Sequence, residues 1–233
     1  MKTLYLECNM GAAGDMLAAA LLELHPDPQG FVERMNRLGL PGVEFAAQPA
    51  VKCGITGTHV SVTIHGEEEE SQDVHLHAHS HEHVHETVQE EALHGHSHHH
   101  EHDHEHDHAH AHEHDHGHTH GHHHHAGLGD IRHILSHLEI PQEVRADAEE
   151  VYQLIAQAES RAHGRPVEEI HYHEVGTLDA VADVVAVCWL LHDLAPEQIV
   201  ASPVHVGCGQ VRCAHGILPV PAPATATILQ GVP

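Results

Sequence analysis

Between His65 and His125 the chain carries 26 of its 36 histidines and 15 Asp or Glu, with no Lys or Arg. Here His98, His100, His102, His104, His106 and His108 are interleaved with Asp103, Glu105 and Asp107. Neutral imidazole is a good ligand for nickel, zinc and copper, and carboxylates between imidazoles add charge and oxygen donors. A stretch so dense in donors can hold several ions without a preformed cage. The bland alternative is a purification tag or an inert polar linker. A tag sits at a terminus and is not threaded with acids, so the tract reads as metal-binding. Its donors do not choose between nickel, zinc and copper.

A second constellation is His171-Tyr172-His173-Glu174, followed by Asp179 and Asp183. Residues two apart on an extended segment share a face, so His171 and His173 can address one ion. Asp179 and Asp183 are four apart on a predicted helix and share its face. Acids on a helix otherwise so apolar are costly to bury without partners, which favours a site over capping and solvation. The turn Glu7–Asp15, with Gly11 and Gly14, leads from a strand into a helix. Its glycines would let backbone N–H groups approach an anion at the helix N-terminus, although Asp15 can equally serve the first helical turn. Cys213 and His215, beside Arg212, offer a thiolate and an imidazole. Their spacing fits no zinc signature, and a buried Cys with a structural His is the slightly better reading.

The elements that must position these residues follow from punctuation and periodicity. A strand is expected over Leu4–Cys8, then a helix from Gly14 to about Leu24, stopped by Pro26 and Pro28. A helix over Phe31–Leu38 and strands near Val43–Gln48 and His59–His65 complete the first segment. Beyond the tract, helices are expected over Gly127–Leu138, Glu143–His163 and Thr177–Leu194, the last largely buried. Ile170–Glu174 and Ile199–Val206 read as extended, and Ala222–Leu229 as a short helix. Interleaved strands and helices predict an α/β or α+β class, a mixed sheet with flanking helices. Residues 1–64 and 126–233 would be two segments of one folded domain. Residues 65–125 would interrupt it as a disordered insertion, too poor in apolar surface to offset the entropy of ordering.

The formal charge is −26 with nine Lys or Arg. No basic stripe suits a nucleic-acid backbone and no polybasic run suits an anionic membrane. Met1–Glu7 lacks the apolar core of a signal peptide, and five cysteines fit no disulfide framework, so the expected location is the cytoplasm with reduced thiols.

The motifs together are familiar. Leu4–Cys8 with Gly11 and Gly14–Met16, then His171–Gly176 with Asp179 and Asp183, and finally Cys213–Thr225, resemble the LarC family of nickel-insertion proteins. That family also carries a histidine-rich insertion at this place. The resemblance implies Ni(II) insertion into pyridinium-3,5-bisthiocarboxylic acid mononucleotide by a nickel-inserting lyase (a cyclometallase), using CTP with Mg(II) or Mn(II), to complete the nickel-pincer cofactor of lactate racemase. It implies metal ligation by His171, His173, Glu174, Asp179 and Asp183. It further implies catalytic roles for Asp15, Glu174, Asp179, Cys213 and His215, and substrate-phosphate binding at Gly11 and Gly14. Glu7, Asn9-Met10 and Ala13 depart from the family's usual residues. Family members are longer, so a carboxy-terminal part, separately encoded or otherwise supplied, is expected to be needed for turnover. The competing readings are a nickel storage protein or metallochaperone, explained by the tract alone, and a metal-dependent phosphohydrolase.

Overall fold

The computed structural model describes residues 1–67, 126–172, 175–213 and 216–232, with the backbone alone at 212 and 213. The tract histidines His98 to His108, together with His173, Glu174 and His215, lie outside the described residues. Strand β1 (Thr3–Leu6) runs through a turn into helix α1 (Gly14–Leu24), and α2 (Pro28–Met35) follows at once. Pro26 ends the Ala/Leu-rich α1. Asp27 then starts α2, its carboxylate accepting the Gly30 N–H at 3.0 Å with Pro28 at the first helical position. Strands β2 (Val43–Lys52) and β3 (Ile55–Ile64) form an antiparallel hairpin, longer than the residue alternation alone suggested.

After the tract come α3 (Leu128–His137), α4 (Gln142–His163) and a 3-10 turn at Val167–Glu169. Gly164, with φ of 63°, closes α4 in the left-handed region that glycine adopts at no steric cost. Helix α5 (Leu178–Leu194) is the hub. Its Val181, Ala182, Val185, Ala186 and Leu190 are fully buried, and the helix packs on α1, α4, β2 and β3. Phe31 meets Trp189 and Phe45 edge-on within the same core. Strand β4 (Gln198–Ala201) pairs parallel with β1, Thr3 opposite Gln198. A second hairpin, β5 (Gln210–Cys213) with β6 (Gly216–Pro219), leads into α6 (Pro223–Ile228), which packs on α4.

The class is mixed α/β, as expected. Parallel and antiparallel pairing both occur, divided among three two-stranded sheets among the described residues. One expectation needs correction. The strand predicted to reach Val206 stops at Ala201, because Pro203 withholds a ladder N–H. The Gly-, Cys- and Pro-rich passage beyond it, for which no element was predicted, holds a hairpin. No helix among the described residues is long and apolar enough to cross a membrane.

Candidate metal-handling site

Three carboxylates converge where α1, α5 and β3 meet. Asp15 lies in the first turn of α1, Asp179 and Asp183 one turn apart on α5. With His59, Val60, Ser61 and Val62 of β3 they line a cavity of about 240 Å³. Gly14 makes the approach possible, since a Cβ there would stand 2.8 Å from Asp183 Oδ2 and 2.9 Å from its Cβ. The Asp15 backbone N–H donates to the Asp183 carboxylate. The anion received at the α1 N-terminus is therefore a side chain of this chain.

Negative charge is concentrated here, and among the described residues no Lys or Arg lines the cavity. Burial, followed by the neighbouring Asp15 and Asp179 charges, pushes the Asp183 carboxyl up to about 6, against the pull of the Asp15 N–H. Asp179 Oδ1 and Asp183 Oδ1 are buried and have no hydrogen-bond partner. An orphaned carboxylate oxygen is costly in a protein interior, and a cation is what such oxygens accept. The donor set fits a divalent ion, with hard carboxylate oxygens, the Ser61 hydroxyl and one imidazole, His59. Among the described residues no three His, Cys, Asp or Glu side chains stand close enough to hold a metal ion by themselves. An ion here would complete its coordination from donors beyond these described side chains. Burial pushes the Cys188 thiol up to about 11, so this core cysteine offers no thiolate.

Of the residues singled out from sequence, the structure thus brings Asp15, Asp179, Asp183 and Gly14 together. Gly11, at φ of 95°, turns the chain so that its N–H reaches the Cys8 carbonyl at 3.1 Å. The same carbonyl accepts from His205 N–H at 3.0 Å. His171 is exposed and does not line the cavity. It pairs instead with Gly127 in an isolated antiparallel bridge, and Tyr172 N–H donates to the Ala126 carbonyl at 2.9 Å. The first described residues after the tract are thereby fastened beside His171. The Cys213 backbone ends β5 opposite Gly216. His59 and Ser61 escaped the sequence reading; the available signal was their alternation with Val60 and Val62, which puts the two polar side chains on one face of the strand.

Residues 4–233 match the family model described as nickel insertion protein. Similar proteins include the pyridinium-3,5-bisthiocarboxylic acid mononucleotide nickel insertion proteins of Geobacillus kaustophilus and Clostridium kluyveri. Each is 34% identical over the whole of this chain, which covers 46% and 48% of them respectively. The protein of the same name from Desulfitobacterium hafniense is also 34% identical, with 44% of its length covered. This chain therefore spans about half the length of these curated relatives. No solved structure matches it. On the family match over nearly its entire length, the chain belongs to the nickel insertion protein family.

Proposed function

We propose that this chain handles nickel for insertion into pyridinium-3,5-bisthiocarboxylic acid mononucleotide, with the cavity of Asp15, Asp179 and Asp183 as the place of transfer. The observation that carries the reading is the pair of buried carboxylate oxygens without partners, in a cavity where the described residues do not make a full ligand set. A permanent metal site would supply every ligand, whereas a transfer site leaves positions for the acceptor. The two sulfurs and the ring carbon of the substrate supply three donors to a square-planar d⁸ ion, and His59 or a carboxylate serves as the fourth until release. Forming the nickel–carbon bond replaces a ring C–H bond and releases a proton, which a cavity carboxylate accepts. Gly14 serves this site by admitting Asp183, and the substrate phosphate lies toward the Gly11 turn.

The tract supplies the ion. It leaves from Glu67, just after β3, whose His59 lines the cavity, and it returns at Ala126 beside His171. His171, with His173 and Glu174, is the relay between store and cavity, and Cys213 with His215 borders the substrate. CTP with Mg(II) or Mn(II) acts together with the remaining half of the full-length relatives. The setting is the cytoplasm, the activity is that of a nickel-inserting lyase, and lactate racemase receives the product.

The test is insertion of nickel into the synthetic mononucleotide, followed by absorbance of the product, with CTP, Mg(II) and the remaining half of a relative supplied. Asp179→Asn with Asp183→Asn should stop insertion while nickel still loads onto the tract. Unchanged insertion would refute the assignment of the cavity. Loss of all insertion on deleting residues 68–125, even at saturating nickel, would instead favour a chain that only stores and passes on the metal.

A further inference from the structure

Helix α3 carries His133 and His137, both exposed and one helical turn apart. Residues four apart on a helix share a face. Their ring centroids lie 4.4 Å apart, with the ring planes inclined at 62°. With metal–nitrogen bonds of about 2 Å, two imidazoles in adjacent positions on one ion hold their ring centres roughly 4.5 Å apart. The pair already stands at that spacing. Two histidines four apart on one helix face are also an arrangement that holds zinc in metalloenzymes.

The placement of protons favours ligation as well. His137 Nδ1 lies 2.8 Å from the His133 carbonyl oxygen and 3.1 Å from Ser136 Oγ. A carbonyl oxygen only accepts, and the Ser136 hydroxyl donates its own proton to that same carbonyl at 2.7 Å. Both neighbours of Nδ1 are therefore acceptors, so Nδ1 carries the proton and the lone pair is left on Nε2. Imidazoles that bind metals commonly have the other ring N–H held by a backbone carbonyl in this way. The His133 ring enters no hydrogen bond among the described residues, so either of its nitrogens can offer a lone pair. Solvation would explain each histidine singly. It does not explain a held tautomer beside a free ring at chelating distance.

We propose that His133 and His137 form a second metal site, a bidentate imidazole pair on the outer face of α3 that takes Ni(II) or another borderline divalent ion. Neutral imidazole suits nickel, copper and zinc, whereas magnesium and calcium prefer oxygen donors. Among the described residues no third His, Cys, Asp or Glu joins the pair. Water fills the other positions, and the ion exchanges readily. Neither histidine lines the cavity of Asp15, Asp179 and Asp183, so the site does not depend on the reading of that cavity. Helix α3 begins at Leu128, the second residue after Ala126, where the tract returns. The pair thus offers fixed imidazoles close along the chain to the tract, where an ion can rest on the surface of the fold.

The experiment is acylation of histidines by diethyl pyrocarbonate in the full chain, with free Ni(II) fixed by a metal buffer so that uptake by the tract does not alter it. Cleavage after Arg132 and Arg145 releases residues 133–145, whose only histidines are His133 and His137. Fragment masses then report the two rings separately. Nickel should slow acylation of both over one shared concentration range, and Mg(II) should slow neither. In His133→Ala, half-protection of His137 should need about 100-fold more free nickel, because the second bond of a chelate forms within one molecule. His137→Ala should do the same to His133. Both positions are exposed, so neither variant disturbs the core. Acylation indifferent to nickel overturns the proposal, and so does protection of one ring that survives loss of the other. Protection should be unchanged in the Asp179→Asn and Asp183→Asn double variant. Its loss there would make the pair an outlying part of the cavity and overturn a separate site.

Discussion

Helix α5 carries aspartates at both ends, and the two ends are treated differently. Near its C-terminus, Asp193 Oδ2 accepts from Arg34 Nη2 at 2.6 Å and from His25 Nε2 at 3.1 Å. The Asp27 N–H donates to His25 Nδ1 at 3.0 Å, which leaves the imidazole proton on Nε2, facing Asp193. Arg34 lies over the rings of Trp189 and Phe31, 5.0 and 5.4 Å from their centroids. This carboxylate is satisfied, and it clips α1, α2 and α5 together. Near the N-terminus, Asp179 and Asp183 face a third acid, Asp15, and each keeps a buried oxygen without a partner. Residue type and helix are the same at both ends. What separates the structural acid from the candidate functional ones here is whether the fold itself supplies the countercharge.

Four measurements would break or sharpen that contrast. The largest effect is expected at the unpartnered end, where Asp179→Asn with Asp183→Asn should lower the insertion rate by about 100-fold or more, roughly 3 kcal/mol of lost stabilisation. The same variant should melt at a higher temperature than the metal-free parent, because it removes repulsion. A lower melting temperature would mean that the acids support the fold after all.

At the partnered end Asp193→Ala should cost about 2 kcal/mol, since it strands a part-buried guanidinium and imidazole. Denaturant melts read the cost, and nickel insertion at saturating metal should be unaffected. If insertion falls in step with stability, the two ends are not independent.

The pH dependence should be smaller and opposite to that of a paired acid. Asp183 titrates near 6 when folded, against 3.8 for the ordinary group. Between those values the folded chain holds a proton that the unfolded chain has lost. Asp183's contribution to stability is therefore present in full below about 4 and is lost as pH rises through about 6. Protons and cation compete for the same carboxylate, so the KM for nickel should climb below about pH 6. A profile for Asp183→Asn that matches the parent would remove Asp183 from both roles.

The mildest effect is expected from shortening the tract. Deleting residues 68–125 should lower the number of nickel ions bound, measured by calorimetry, and slow insertion only when nickel is scarce.

Much of the scaffold could be read in advance because local chemistry fixed it. Pro26, the Gly164–Pro166 break and the apolar run from Val181 to Leu190 place the ends and burial of α1, α4 and α5 to within a residue or two. The pairing of Asp179 with Asp183 was visible for the same reason, as a four-residue helical spacing. Long-range assembly was not. That Asp15 would join them depends on the close fit of Gly14 against Asp183, which no local pattern encodes. The His25–Asp193–Arg34 clip likewise joins residues more than 150 positions apart. His59 stayed hidden because its polar alternation with Ser61 in β3 is also what a strand with one solvent-facing side shows.

The bond from Tyr172 N–H to the Ala126 carbonyl has a kinetic consequence. It ties the tract's return to the body that already holds its departure at Glu67. On the proposed relay, an ion passing from tract to cavity would travel within one molecule, and that passage would be first order. Its rate does not fall as the protein is diluted, unlike transfer from a separate carrier, which slows with every drop in concentration. Where free nickel is scarce and the chain itself is rare, that change in molecularity would decide how quickly the proposed acceptor is filled.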